Sequence, residues 1–186
     1  LSLASEGYIV RYQTLNPKLH ANIPQQRERV FLVAFLDNSQ ASAFVYPKEK
    51  TLTKQLCDYI DVTEKKDDWY YYTDVHPLFL SMREVVKRKN VIYKINDFGV
   101  SKKSYEICPT LTANMGTFPD RVPIILDNYG IRKMTEYECL SLQGYPIAFR
   151  FPNNMSRAHC YKQVGNSVCV PIIQEIAKNI STIINS

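Results

Sequence analysis

The chain has 186 residues, of which 45% are hydrophobic and 22% charged, so it is long enough for one ordinary domain or two small ones and is not a disordered tail. Its net charge is +5, modest for a protein that binds nucleic acid. The 6 glycines are scattered, which excludes from this chain both the phosphate-binding P-loop and the dinucleotide-type turn, because each requires clustered glycines.

Cysteine and histidine positions exclude the commonest metal sites. The 5 cysteines contain no CxxC pair and the 3 histidines no HxxxH pair, so the sequence predicts no metal centre. An odd number of cysteines indicates a reducing cytoplasm. The longest apolar run, residues 30–36, is far too short to span a membrane. We therefore expect a soluble, cytoplasmic protein without a membrane partner. The chain begins without Met, so we expect it to belong to a longer polypeptide or to have lost its natural start.

Positive charge is concentrated in one segment. Residues 83–133 carry ten basic and five acidic side chains, whereas residues 57–76 are acidic. Such a segment is typical of a surface that contacts a phosphate backbone. A solvated helix face around residues 83–89 explains the same pattern equally well.

The first part of the chain predicts two strands and then an irregular region. Residues 8–12 are rich in β-branched and aromatic side chains, and residues 30–35 form a continuous apolar run suited to a buried strand. A loop over residues 16–29 separates them. From residue 37 to about 109 we expect an irregular α+β insert, with strand-like pieces at 43–46 and 91–95 and a helix within 77–89.

The last third predicts a strand and two helices. Residues 123–126 read as a strand that enters a turn. Thr135 and Glu138 form a capping-box signature for a short helix that ends at Gly144. For the final helix the sequence predicts Ser167 as N-cap, Pro171 in the first turn and a stripe of isoleucines at helical spacing.

Three short stretches have a composition that favours ligand contacts. The run QQRER at residues 25–29 places two guanidinium groups two residues apart, which suits a base or phosphate, although a structural ion pair with Glu28 is the alternative. The hydroxyl- and amide-rich residues 108–117 suit phosphate oxygens or ordinary turns. The run QVGNSV at residues 163–168 joins a glycine to polar groups at a helix terminus, where helix capping is the simpler explanation.

In their order along the chain, these motifs resemble the C-terminal part of the DNA (cytosine-5)-methyltransferase family. QQRER resembles that family's QxRxR block, and Thr110-Leu111 resembles the threonine-leucine pair of its target-recognition region. Residues 132–146, with RKMT, Glu138 and QGYP, are similar to the RxLTxxE and QGFP block. QVGNSV is similar to the final QxGNSV block. The family's Pro-Cys, Glu-Asn-Val and glycine-rich cofactor blocks are absent from this chain.

The resemblance implies specific roles for residues of this chain. Arg29 would act as the catalytic residue that contacts O2 of a cytosine flipped out of the duplex. Gln25 and Arg27 would brace that loop or touch the DNA backbone. Thr110, Thr112 and Asn114 would face DNA. Asn166, Ser167 and Val168 would line one side of the S-adenosylmethionine pocket.

The resemblance also implies an architecture and partners. Residues 1–36 would hold the last strands of a Rossmann-like α/β methyltransferase sheet, 37–155 a smaller irregular α+β recognition domain, and 156–186 a helix that returns to the sheet. Double-stranded DNA and a companion N-terminal half with the catalytic cysteine would be the partners, in a bacterial-type restriction-modification setting in the cytoplasm, at the nucleoid. The chain alone would be inactive.

Two alternatives remain at the level of sequence. The chain could be a catalytically inactive DNA-binding or regulatory module, which leaves Arg29 and Asn166-Ser167 without a task. RNA is the other possible substrate, and the sequence contains little for or against it. The chain departs from its relatives at Tyr137 and Ser141, where many carry Arg, and after residue 117, where Phe118 replaces the usual glycine.

Overall fold

The computed structural model describes residues 3–101 and 103–185 and is mixed helix and strand. Its strands are β1 (Ile9–Leu15), β2 (Arg29–Phe35), β3 (Ile95–Asn96), β4 (Gly99–Val100), β5 (Ile124–Leu126) and β6 (Ile131–Lys133). Its α-helices are α1 (Pro17–His20), α2 (Asn38–Ala43), α3 (Phe79–Val85), α4 (Glu136–Ser141), α5 (Arg157–Asn166) and α6 (Val170–Ile184). Within the described ranges, none of these helices is both long and apolar enough to cross a membrane.

The strands pair in sequence as three antiparallel hairpins, β1 with β2, β3 with β4 and β5 with β6. In the longest hairpin Ile9 lies opposite Phe35 and Leu15 opposite Arg29. The predicted strands at 8–12, 30–35 and 123–126 are confirmed in type and place. The strand-like piece at 43–46 is wrong: helix α2, which Asp37 caps by accepting hydrogen bonds from the backbone of Ser39 and Gln40, extends to Ala43, and residues 44–46 belong to no strand.

A single apolar core joins the beginning, the middle and the end of the chain. Leu15 and Phe35 of the first hairpin pack in the same cluster as Cys139 of α4, Val164 of α5 and Ile172 of α6. A smaller cluster joins Met82 of α3 and Tyr93 to Ile124 of β5. The isoleucine stripe of α6 is thus buried at Ile172 and Ile176, whereas Ile173 and Ile184 stay exposed.

The end of the chain differs from the sequence prediction in one respect. Ser167 does not cap the final helix: it ends α5, where its backbone N–H and its Oγ both donate to the carbonyl of Val164. The N-cap of α6 is Cys169, and Pro171 lies in its first turn as predicted. Gly165 is therefore part of helix α5 and not of a loop before α6.

Candidate functional site

Arg27 lies at the point where three segments of the chain meet. Its guanidinium donates to the carbonyl oxygens of Leu111 (2.6 Å), Gly165 (3.0 Å) and Ser167 (2.8 Å), and the residue is 4% exposed. Two of these carbonyls belong to the last turn of α5 and the residue that caps it, where the helix dipole favours a cation. Burial, followed by the nearby charge of Arg29, lowers the pKa of Arg27. The run at residues 25–29, the loop of residues 108–117 (the threonine loop) and the end of α5 therefore all meet at the side chain of Arg27.

Backbone contacts strengthen the junction between the first two segments. The N–H of Gln26 donates to the carbonyl of Cys108, and the N–H of Cys108 donates to the carbonyl of Pro24, each over 2.7 Å. The hydroxyl of Thr110 donates to the carbonyl of Gln26 over 2.8 Å. These bonds fix the threonine loop to the loop that leads into β2.

Two glycines let the threonine loop lie directly on α5. A Cβ at Gly165 would stand 2.2 Å from the carbonyl carbon of Thr112, and a Cβ at Gly116 would stand 2.2 Å from the carbonyl oxygen of Ala158. Real side chains do not approach so closely, so both positions require glycine. The sequence predicted close approach at Gly165, and the approaching group is the backbone of Thr112.

The predicted site residues divide into buried and exposed groups. Gln25 is fully buried like Arg27, so neither side chain faces solvent, and the contacts of Arg27 are those of a brace. Arg29, the first residue of β2, is exposed, and its guanidinium donates to the carbonyl of Glu28 over 2.6 Å. Because β2 begins only at Arg29, the alternation of side chains along a strand does not extend to Arg27, and the two arginines do not share one face.

In the loop of residues 108–117 two polar side chains face outward. Thr112 and Asn114 are exposed and hydrogen-bond to each other, and Thr110 is half-buried. Thr112 precedes and Asn114 lies within the short 3-10 turn Ala113–Gly116, which packs on α5 through Gly116. The structure therefore presents Thr112 and Asn114 on a surface held by the same junction that holds Arg27.

Asn166 and Ser167 open onto an apolar cleft of about 360 Å³. Its walls include Tyr145, Phe149 and Phe151, whose rings lie in edge contact with one another. Aromatic walls beside an exposed amide and a hydroxyl suit a ligand with a flat heterocycle and a polar tail, as S-adenosylmethionine has. The residues present therefore fit one wall of such a pocket.

Val168 lies on another side of the same junction. It lines a small depression together with Arg27, Arg29 and Phe31. The buried thiol of Cys169 lies there too, and burial raises the pKa of that thiol to about 11. The QVGNSV run thus lines the apolar cleft (the cofactor-type cleft) on one side and lies beside the exposed Arg29 on the other.

The RKMT run and Glu138 form a buried network below this site. Arg132 is fully buried and its guanidinium bonds to the carboxylates of Asp127 (2.7 Å) and Glu138 (2.7 and 2.8 Å) and to the carbonyl of Asp61 (2.7 Å). Burial alone would lower the pKa of Arg132, but its ion pairs with Glu138 and then Asp127 outweigh burial and raise it. The capping box of Thr135 and Glu138 is confirmed. This buried network ties β6 to α4 and to the segment around Asp61.

The sequence analysis did not single out the aromatic residues of the cleft. Tyr145, Phe149 and Phe151 lie in the irregular connection between α4 and α5. Their position in and just after the QGYP motif was a usable signal, because a loop does not require three aromatic side chains within seven residues in order to form. No cluster of three or more metal-ligating side chains occurs in the part of the chain that the structure describes.

A family model described as C-5 cytosine-specific DNA methylase matches residues 1–182, nearly the whole chain. The chain belongs to this methylase family. It is 42% identical over 180 residues to the type II methyltransferase M.Bsp6I of a Bacillus species, covering 96% of this chain and 57% of that protein. It is 28% identical to M.HhaI of Haemophilus parahaemolyticus, covering 90% of this chain and 52% of that protein.

Solved structures share the fold of the methylase chain. A methyltransferase of Entamoeba histolytica superposes with a TM-score of 0.70 at 15% identity, over 99% of this chain and 57% of that one. The Dnmt2 methyltransferase of S. pombe gives 0.67 at 16% identity, over 99% and 60%. The predicted α/β methyltransferase fold is confirmed. The methylase chain spans only about half the length of the curated relatives it matches.

Proposed function

We propose that this chain is the recognition and cofactor-side half of a DNA (cytosine-5)-methyltransferase and that it works with an N-terminal half that carries the nucleophilic cysteine. The observation that carries the proposal is the convergence on Arg27. One buried side chain links the segment of Arg29, the threonine loop and the residues beside the cofactor-type cleft. A DNA-binding module without catalysis has no need to join all three.

The first hairpin supports the need for a second half. Tyr12 is 74% exposed and Leu32 61%, in an antiparallel pair of strands that is too small to be stable by itself. In a methyltransferase sheet, helices of the other half would pack on this face and cover these side chains. We therefore assign residues 1–36 to that sheet, 37–155 to target recognition and 156–186 to the cofactor side.

The chemistry assigned to this chain is electrostatic. The target cytosine must leave the stack because its reacting atoms are inaccessible in the duplex. Arg29 is exposed and donates to O2 of that base, where negative charge develops as the nucleophile of the other half adds to C6. S-adenosylmethionine supplies the methyl group for C5. Asn166 and Ser167 hold its polar end, and Val168 contacts it beside Arg29. Thr110, Thr112 and Asn114 contact the DNA.

A comparison of catalysis with binding tests this assignment. The chain and an N-terminal half with Pro-Cys and Glu-Asn-Val blocks are combined with labelled S-adenosylmethionine and DNA. We expect methyl transfer by the pair and none by either half, and we expect Arg29→Ala to reduce the rate far more than DNA affinity. Equal losses of rate and affinity would instead favour the inactive DNA-binding module, and transfer to RNA but not DNA would change the substrate. The setting we propose is a bacterial restriction-modification system in the cytoplasm.

A further inference from the structure

Asn16 is a buried polar residue to which the proposed function gives no role. It is 3% exposed and directly follows Leu15, the last residue of β1. Leu15 lies opposite Arg29 in the first hairpin, so Asn16 stands at the end of the paired strands where Arg29 enters β2. A buried amide is stable only when its polar atoms are hydrogen-bonded, which makes the partners of Asn16 informative.

The side-chain oxygen of Asn16 connects the two ends of the loop between β1 and β2. Its Oδ1 accepts from the backbone N–H of Lys18 over 3.1 Å, which caps helix α1, and from the backbone N–H of Arg27 over 3.4 Å. Arg27 lies two residues before Arg29, beyond the last paired residues of the hairpin. The side chain of Asn16 therefore continues the connection between the two chain segments past the point where strand pairing ends.

Neighbouring residues hold Asn16 in place. Its backbone N–H donates to Nδ1 of His20 over 3.1 Å, and its carbonyl accepts from the N–H of His20 over 2.8 Å. The N–H of Lys18 also donates to the carbonyl of Gln25 over 3.2 Å. His20 is 4% exposed and Gln25 is fully buried. The oxygen that meets the N–H of Arg27 thus belongs to a buried, hydrogen-bonded turn.

The direction of Arg29 depends on the backbone that precedes it. Arg29 is exposed, and the hydrogen bond described for its guanidinium goes to the carbonyl of its neighbour Glu28. A catalytic group loses much of its effect when it is misplaced by about 1 Å. The backbone from Arg27 to the start of β2 must therefore be fixed for Arg29 to meet a flipped base.

We propose that Asn16 is a positioning residue for methyl transfer: by accepting from the N–H of Arg27, it fixes the backbone that directs Arg29 at the flipped cytosine. Because Asn16 is buried, it acts through Arg29 and not by contact with DNA or cofactor. The inference rests on the proposed function for the task of Arg29. It adds a residue outside the four motifs that carried the family resemblance.

The test compares Asn16→Leu, Asn16→Asp and Asp37→Leu in the complex of both halves. Leu has nearly the shape of Asn but no acceptor, whereas Asp keeps the oxygen that is used. Asp37 is the matched control because it caps α2, just after the opposite end of β2, through the same kind of bond. The readouts are kcat, KM for DNA and for labelled S-adenosylmethionine, the thermal unfolding midpoint, and hydrogen exchange of the backbone N–H of Arg27.

We expect Asn16→Leu to lower kcat about tenfold or more and to leave both KM values within about twofold, because the charge is misplaced in the transition state while binding is kept. Asn16→Asp should stay within about threefold of the unsubstituted complex, since Asp serves equally well as an N-cap. Asp37→Leu should also lower the unfolding midpoint but change kcat by less than about twofold. The N–H of Arg27 should exchange faster in Asn16→Leu alone.

A double variant separates positioning from a general structural role. If Asn16 acts through Arg29, then Asn16→Leu combined with Arg29→Ala should lose no more than about twofold in kcat relative to Arg29→Ala alone. A further loss as large as that seen when Arg29 is present would overturn the positioning role. Equal losses of kcat in Asn16→Leu and Asp37→Leu, or in Asn16→Leu and Asn16→Asp, would overturn it as well.

Failure of the proposed function would be recognised separately. If the unsubstituted complex transfers no methyl group, the proposed function fails, and hydrogen exchange then decides whether Asn16 holds the backbone before Arg29. Faster exchange at Arg27 in Asn16→Leu, with unchanged exchange in Asp37→Leu, supports that hold. Unchanged exchange in Asn16→Leu overturns it.

Discussion

Two buried arginines are stabilised by different kinds of partner. Arg132 is compensated by the carboxylates of Asp127 and Glu138, whereas Arg27 bonds to three carbonyl oxygens, two of them at the end of α5. The sequence predicted that both arginines matter, because both lie in recognisable runs. It could not predict the partners of Arg27, since backbone carbonyls exist at every residue and leave no signal in sequence.

Arg132→Met tests whether the buried ion pairs of Arg132 stabilise the fold. Removal of the cation leaves two carboxylates buried without a counter-charge, so we expect a loss of about 3–5 kcal/mol in the free energy of unfolding, measured by urea denaturation. The control is Arg88→Met, whose ion pair with Glu106 is exposed and whose loss should cost less than about 1 kcal/mol. Similar losses in both variants would contradict the structural role of the network.

The described cysteines differ in exposure, and we expect their thiols to differ in reactivity accordingly. Cys57 is exposed, whereas Cys108, Cys139, Cys160 and Cys169 are buried. Burial raises the pKa of Cys108 to about 12 and of Cys169 to about 11, so at pH 8 both remain protonated and unreactive. We expect one fast-reacting thiol per native chain at pH 8 and none in Cys57→Ser, measured with a thiol-specific chromogenic reagent. A second fast thiol in Cys57→Ser would show that the core is more open than described.

At the scale of elements, the sequence predicted the longer strands and the helices α3, α4 and α6, but it missed α1, α2 and α5. The runs at residues 30–35 and 123–126 are apolar throughout and both form strands, but only the second is buried, since Val30 and Leu32 of β2 are exposed. Helix α5 was missed because its buried residues, Cys160, Tyr161 and Val164, are few and are interrupted by polar positions and by Gly165. That glycine, normally unfavourable within a helix, is there because of packing that is visible only in three dimensions.

Gly165→Ala tests the contact between α5 and the threonine loop. The added Cβ would overlap the backbone of Thr112, so the helix and the loop must separate. We expect the thermal unfolding midpoint to fall by several degrees and methyl transfer by the complex to fall at least tenfold. Gln174→Ala, at an exposed position of α6, is the control and should change neither. A fully active Gly165→Ala complex would show that the close approach is dispensable.

For the whole molecule, the exposed apolar face of the first hairpin marks where the other half should bind. Leu32→Arg places a charge on that face, so we expect the affinity between the two halves to fall at least tenfold, measured by titration calorimetry. Val75→Arg places the same charge at another exposed apolar position and should leave the affinity unchanged. Equal affinities for the two variants would mean that the hairpin does not contact the other half.

The organisation of the whole chain was partly readable from sequence. The order of QQRER, Thr110-Leu111, RKMT with QGYP and QVGNSV predicted the family that the comparisons confirm. The same motifs could not reveal that Phe98 is almost fully exposed or that Asp97 pairs with Arg121, because a single phenylalanine between Asp97 and Gly99 looks like an ordinary turn residue.

The central claim is that this chain completes a cytosine-5 methyltransferase and contributes Arg29 to the reaction. The most direct measurement is the amount of 5-methyldeoxycytidine, quantified by mass spectrometry of digested DNA after incubation with S-adenosylmethionine. We predict that it forms with both halves together, is absent with either half alone, and falls at least a hundredfold with Arg29→Ala while the halves still assemble. Formation by the N-terminal half alone, or undiminished formation with Arg29→Ala, would contradict the claim.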